Sequence, residues 1–277
     1  MRTPRPLLYA ALGLGLLVAA HLLMFEPIFQ HYLYPAPPVP VPSPPPPPLV
    51  EVVLPTAAGD RVVGWADTDR AAPGRPLVLF FHGNGENLET MRRAGLFARF
   101  AGLDAAWLAV DYPGYGRSTG RPGEESLTAA AEAALAWARA RHPGRPVLAA
   151  GWSLGAALAV RLAADHPDAV AATALFSPWT SLADTAAVHF PAPLVRPLLA
   201  GAYDSLAAAP RVRGPVLVVH GAADGIIPVD QARRLTAALP GPVRLLVVPG
   251  ADHNDLLARD EPWVELAALM RGLDARR

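Results

Sequence analysis

The chain has 277 residues, 52% of them hydrophobic and 17% charged, and its 24 basic and 24 acidic residues cancel to a formal net charge of zero. That length suits one catalytic domain with attachments, the composition excludes a chain that is mainly disordered, and the balanced charge leaves no cationic excess for a nucleic-acid backbone, so no nucleic-acid partner is expected. Cysteine is absent, which excludes a disulfide framework, a thiol nucleophile and a cysteine metal site.

At the N-terminus Arg2 and Arg5 precede an apolar run over residues 7–25, interrupted by one strongly polar residue, His21. As a helix this run would measure about 28 Å, close to the roughly 30 Å of a bilayer core. It reads as an N-terminal transmembrane helix that makes the membrane a partner of the chain. A cleaved signal peptide is the competing reading, with Val18-Ala19-Ala20 as a small-residue cleavage site. The run continues through Leu22, Leu23, Met24 and Phe25, longer than a signal peptide's usual apolar region. Positive charge near a span tends to stay cytoplasmic. Residues 26–277 are therefore expected outside the cytoplasm, in a bacterial periplasm or its equivalent, and signal cleavage would give the same side with a soluble product.

Residues 26–48 read as a linker, in which ten of the fourteen residues over 35–48 are proline. Proline fixes φ and lacks an N–H, so neither helix nor central strand is expected there. Extended polyproline II would make it a semi-rigid spacer of roughly 40 Å.

From residue 49 to 277 the pattern is α/β. Two β-rich runs, 50–54 and 61–66, flank a Gly59-Asp60 turn and read as a hairpin. Six nearly continuous apolar runs, at 77–81, 105–110, 147–151, 171–176, 216–220 and 243–248, suit strands of a parallel sheet covered on both faces. Helices are expected over 88–100, 126–141, 154–165 and 229–239, with a last one starting near Pro262. The expected architecture is a doubly wound, mostly parallel sheet with right-handed crossovers.

The strongest chemical signal is Gly151-Trp152-Ser153-Leu154-Gly155, which follows an apolar strand and opens an Ala-rich helix. A nucleophile elbow requires that strand–turn–helix setting. A serine hydroxyl needs an adjacent base, and His253, in the loop after the last strand, lies where a base can reach a site above the sheet. The base needs an acid to hold its tautomer. Asp224, just beyond the strand at 216–220, fits this role, and the order Ser153, Asp224, His253 is the one expected for such a fold. Asp230 is a rival acid, explained instead as a cap at a helix start; Asp252 and Asp255 flank His253 too closely in sequence. Oxyanion donors are expected from the backbone amides of Leu154, after the nucleophile, and Asn84, in the glycine-rich loop His82-Gly83-Asn84-Gly85.

Together HGNG at 82–85, DYPGYGRS at 111–118, GWSLG at 151–155, SPWTSL at 177–182, HGAADGIIP at 220–228 and GADHND at 250–255 resemble the α/β-hydrolases. More narrowly, they resemble the serine aminopeptidase-like and membrane-anchored monoacylglycerol-hydrolase-like branch. The resemblance runs from about residue 49 to 272 and implies that Asp111 and Tyr112 shape the site structurally. It also implies a cap over about 177–214, here short and broken by five prolines before Arg211. Trp179, Phe190 and Leu194 would either line an acyl pocket or pack the cap on the domain. The expected activity is hydrolysis of a small-molecule acyl ester through an acyl-enzyme, with no metal or organic cofactor. The competing readings are an aminopeptidase or thioesterase on the same triad, and a non-catalytic binding protein that keeps the fold.

Overall fold

The computed structural model describes Tyr9, Gly13, Gly15 and residues 31–37, 45–69, 71 and 74–274. The chain divides into two units, Met1–Pro35 and Ala36–Arg277. Apart from Tyr9, Gly13 and Gly15, the apolar span over residues 7–25 lies outside the described residues, as does the middle of the proline-rich linker. Among the described residues no helix is long and apolar enough to cross a membrane.

The second unit is built on an eight-stranded sheet. Its strands are β1 (Val50–Pro55), β2 (Arg61–Asp67), β3 (Leu77–Phe81), β4 (Ala106–Val110), β5 (Val147–Trp152), β6 (Val170–Phe176), β7 (Val216–Gly221) and β8 (Val243–Val248). They lie in the order β1-β2-β4-β3-β5-β6-β7-β8. The hairpin expected about Gly59-Asp60 is present: β1 and β2 pair antiparallel, and β2 pairs antiparallel with β4. All remaining neighbours are parallel. Every residue of β3 and β4 is buried, so their apolar runs show no alternation.

The helices are α1 (Leu88–Arg93), α2 (Leu96–Ala101), α3 (Glu124–Arg141), α4 (Leu154–Asp165), α5 (Leu182–His189), α6 (Ala192–Leu198), α7 (Ser205–Ala208), α8 (Val229–Ala238) and α9 (Glu261–Asp274). The single helix expected over 88–100 is divided in two. Gly95 has φ +77°, a left-handed backbone that glycine adopts without steric cost and that ends a helix. Asp230 is not a cap either: the N-cap of α8 is Pro228, and Asp230 lies in the first turn, where its charge opposes the positive end of the helix dipole.

One face of the sheet is packed by α1, α2 and α9 around an aromatic cluster. Phe97 stacks on Trp107 at 5.2 Å between centroids, and Phe100 meets Trp263 edge-on at 5.2 Å. Helices α3 and α4 bury mainly alanines, among them Ala130, Ala134, Ala138, Ala156, Ala159 and Ala163. Small side chains let helix and sheet backbones approach closely. Because β3 to β8 run parallel, their carboxyl ends lie together on one edge, where open α/β sheets bind ligands. Loops on that edge carry His82, Ser153, Asp224 and His253.

Candidate active site

Ser153 joins β5 to α4 with φ 55° and ψ −116°, a backbone conformation rarely adopted by a residue with a side chain. Such a residue costs on the order of 1–3 kcal/mol and persists only where its surroundings enforce it. Here the Ser153 N–H donates to Phe176 O on the neighbouring strand at 2.9 Å, and Ser153 O accepts from Ala156 N at 2.9 Å. The flanking glycines have no steric alternative. A Cβ on Gly151 would lie 2.0 Å from Gly155 O, and one on Gly155 would lie 1.9 Å from Phe81 O. Thus α4 starts directly against the end of β3, which sets Ser153 beside the loop that follows that strand.

The sheet edge also brings Asp224 and His253 together. His253 Nδ1 lies 2.8 Å from Asp224 Oδ2; an ionised carboxylate only accepts, so Nδ1 carries the proton and Nε2 is left as the basic nitrogen. Asp224 Oδ1 accepts from the amides of Ile226 at 3.0 Å and Ile227 at 2.8 Å. Burial works to raise the Asp224 pKa, but hydrogen bonds from His220 and His253 outweigh it and hold the carboxyl well below the usual carboxylate range. Asp252 and Asp255 build the His253 loop instead of sharing its ring: Asp252 Oδ1 accepts from Asn254 N at 2.8 Å and Asp255 N at 3.0 Å, and Asp255 Oδ1 accepts from Asp252 N at 2.9 Å.

Leu154 is the first residue of α4, so its amide belongs to a helical first turn whose N–H groups lack intrahelical acceptors. Asn84 stands in the loop after β3, and the DYPGYGRS segment braces that loop from below. Tyr112 Oη donates to His82 O at 2.5 Å and Tyr115 Oη to Asn84 O at 2.8 Å. Burial pushes the Tyr112 hydroxyl well above its ordinary pKa, so it stays a donor. Asp111 Oδ1 accepts from Leu88 N at 3.0 Å. Both residues thus make the structural contacts that the motif implied.

Two residues at this edge were given no role from the sequence. Trp152 lies with its ring centroid 5.4 Å from that of His253, and a Cβ on Gly83 would come within 2.9 Å of its Cε3. One indole therefore touches both the His253 ring and the Asn84 loop. His220 adds a second ring at Asp224 Oδ2, 3.3 Å away. The clues were its place at the head of the HGAADGIIP motif and its position four residues before Asp224.

Between β6 and β7 the chain forms α5, α6 and α7 despite its prolines. Gln231 of α8 fastens this cap: its Oε1 accepts from Thr180 N at 3.1 Å and Thr180 Oγ1 at 3.0 Å. Trp179 is buried and donates Nε1–H to Tyr203 O at 3.1 Å. It packs the base of the cap, whereas Phe190 and Leu194 are exposed. Among the described residues no group of three or more His, Asp or Glu side chains is placed to hold a metal ion.

The sequence profile of the alpha/beta hydrolase fold family matches residues 76–196. An uncharacterized protein of Mycobacterium tuberculosis is 42% identical over 207 residues, covering 74% of this chain and 72% of its own length. The chain belongs to the α/β-hydrolase superfamily. Human alpha/beta hydrolase domain-containing protein 17B is 35% identical over 192 residues, 68% of this chain and 64% of that protein. Among solved structures, an esterase of Pyrococcus furiosus superimposes with a TM-score of 0.70 at 18% identity, covering 86% of this chain and 97% of that one. A bacterial membrane phospholipase A does so with a TM-score of 0.62 at 19% identity, covering 97% and 96%. At such identities these two likenesses concern the fold.

Proposed function

We propose that this protein is a serine hydrolase that cleaves carboxylic esters through an acyl-enzyme. Ser153 Oγ attacks the ester carbonyl while His253 Nε2 takes its proton, and Asp224 stabilises the imidazolium that forms. The amides of Leu154 and Asn84 hold the tetrahedral oxyanion. His253 returns the proton to the departing alcohol, leaving Ser153 acylated. Water then attacks the acyl carbon, gives its proton to His253, and releases the acid as Ser153 Oγ is reprotonated. The observation that carries this reading is the 2.8 Å bond from His253 Nδ1 to a buried, ionised Asp224, on the same sheet edge as a serine held at φ 55°. The names of the structural neighbours, an esterase and a phospholipase A, agree with ester substrates.

A fluorophosphonate probe tests the assignment. Ser153 is the expected labelled residue, and full labelling of Ser153→Ala would overturn it. Parallel assays with esters, thioesters and aminoacyl amides separate an esterase from a thioesterase or aminopeptidase. We further propose that residues 7–25 anchor the protein in a membrane with the hydrolase unit on the extracytoplasmic side.

A further inference from the structure

The second histidine on Asp224 has no part in the mechanism just described, yet its geometry ties it to the acid. His220 lies at the end of β7 with its side chain wholly buried. Its Nε2 is 2.7 Å from Ile227 O and 3.3 Å from Asp224 Oδ2. Both are acceptors, so Nε2 carries a proton and serves them together. Ile227 closes the circuit, because its own N–H donates to Asp224 Oδ1 at 2.8 Å. The loop from Gly221 to Ile227 is thereby cinched about the carboxylate, one oxygen held by backbone amides and the other shared by two imidazoles.

We propose that His220 is a positioning residue for the triad, its Nε2–H fixing the Asp224 carboxylate in the rotamer that receives His253. The inference rests on the triad reading above. A histidine that only satisfied a core carbonyl would need Ile227 O alone. The contact with the oxygen that also receives His253 Nδ1 is what assigns it a part in the site. His82 offers a comparison within the same sheet. It follows β3 as His220 ends β7, each precedes a glycine, and His82 Nε2 lies 3.4 Å from Asp111 Oδ1. That carboxylate oxygen takes a backbone amide, Leu88 N–H, where Asp224 Oδ2 takes a second imidazole. The titratable groups facing Asp224 are therefore His220 from β7 and His253 from the loop after β8. Without the His220 donor, the carboxylate turns more freely and Oδ2 presents more undivided charge to His253.

The test uses the full chain and two variants. His220→Leu removes the donor, and His220→Gln retains an N–H near the same place. Fluorophosphonate titration counts the competent Ser153 sites, so misfolded protein does not enter the rate. Per competent site, His220→Leu is expected to lose about tenfold to a hundredfold in kcat, the range for a hydrogen bond to a charged group, with KM little changed. The acid limb of its kcat/KM profile should move to higher pH. The downfield proton resonance of the Asp224–His253 hydrogen bond should shift, and His220→Gln should restore most of the rate. A His220→Leu protein that loses thermal stability but keeps kcat per site, pH limb and resonance would reduce His220 to a core residue and overturn the inference. If Ser153→Ala retained full turnover, the triad reading itself would fall; an inert Ser153→Ala beside an unaffected His220→Leu would sink the positioning role alone.

Discussion

The Trp152 indole and the His253 imidazole lie 5.4 Å apart between ring centroids with their planes inclined by 32°. A neutral imidazole gains little from such a neighbour, but an imidazolium gains about 0.5–2 kcal/mol from an adjacent aromatic face. The proposed mechanism forms that cation as Ser153 attacks, and again as water attacks the acyl-enzyme. Trp152→Leu is therefore expected to slow acylation about twofold to thirtyfold, with Trp152→Phe nearer the wild type. Single-turnover acylation by an activated ester is the measurement. An unchanged acylation rate in Trp152→Leu would leave the indole with a packing role only.

Gly155 poses a conflict between local and tertiary preference. It lies in the first turn of α4, where alanine would ordinarily favour the helix by about 1 kcal/mol. Against that, a Cβ would stand 1.9 Å from Phe81 O and 2.7 Å from His82 O, both backbone atoms. The second effect should dominate, so Gly155→Ala should destabilise by about 3 kcal/mol or more. Denaturant unfolding will show it, and a stabilised Gly155→Ala would mean that α4 is not seated against β3 as described.

Ser153 itself predicts a separation of activity from stability. Its φ of 55° is no better for alanine than for serine, whereas glycine tolerates it. Ser153→Ala should lower turnover by up to about a millionfold, with a melting temperature near that of the wild type. Ser153→Gly should be equally inactive but more stable, by about 1 kcal/mol once the greater freedom of unfolded glycine is deducted from the relieved strain. Calorimetry on the two inactive proteins compares them directly.

The elbow was legible because its evidence is local: two glycines two residues either side of a serine, an apolar strand before and an Ala-rich helix after. Strands β3 to β7 were legible for the same reason, since burial on both faces leaves continuous apolar runs; β8 showed a like run although most of it is only half-buried. The division of the helix over 88–100 was not, because Gly95 interrupts without disturbing the apolar spacing around it. Helices α5 to α7 were hidden by prolines, which read as breaks although Pro193 and Pro197 both lie within α6. Trp179 was open between pocket and packing until its bond to Tyr203 O placed it. The contact of Trp152 with His253 depends on loops that meet only in three dimensions, and that of His220 with Asp224, although only four residues apart, depends on how the intervening loop folds back.

Glu89 gives the fold an acid-sensitive contact. Hydrogen bonds from Arg92, at 2.8 Å, and Arg93, at 2.7 Å, hold its pKa at about 2 against the opposing effect of burial. The folded pKa lies below the unfolded value of about 4.3. The stabilisation is therefore complete above about pH 4.3 and lost as pH falls toward the folded value. Glu89→Gln should lower the melting temperature at neutral pH, and the gap to wild type should close as pH falls from about 4 to 2. High salt should narrow the gap as well, because both arginines are partly exposed. A gap that stayed constant across that pH range would show that the arginines do not hold the charge.

Arg2 and Arg5 precede the apolar run over residues 7–25, and the next arginine is Arg61. Charge is thus concentrated on one side of the proposed anchor, and positive flanks favour the cytoplasmic side. The N-terminus should lie inside and residues 26–277 outside. In spheroplasts of a Gram-negative host, added protease should degrade the hydrolase unit while the membrane stays intact. Protection of the unit would reverse the topology. Moving arginines to the other flank, by replacing Arg2 and Arg5 with serine and residues 28 and 29 with arginine, should shift a measurable fraction of molecules to the protected state. The N-terminal residue of the mature protein decides between anchor and signal. Retention of Arg2 in a membrane-bound product supports the anchor, whereas a mature protein beginning at His21 and released to the soluble fraction would remove it and leave the compartment unchanged.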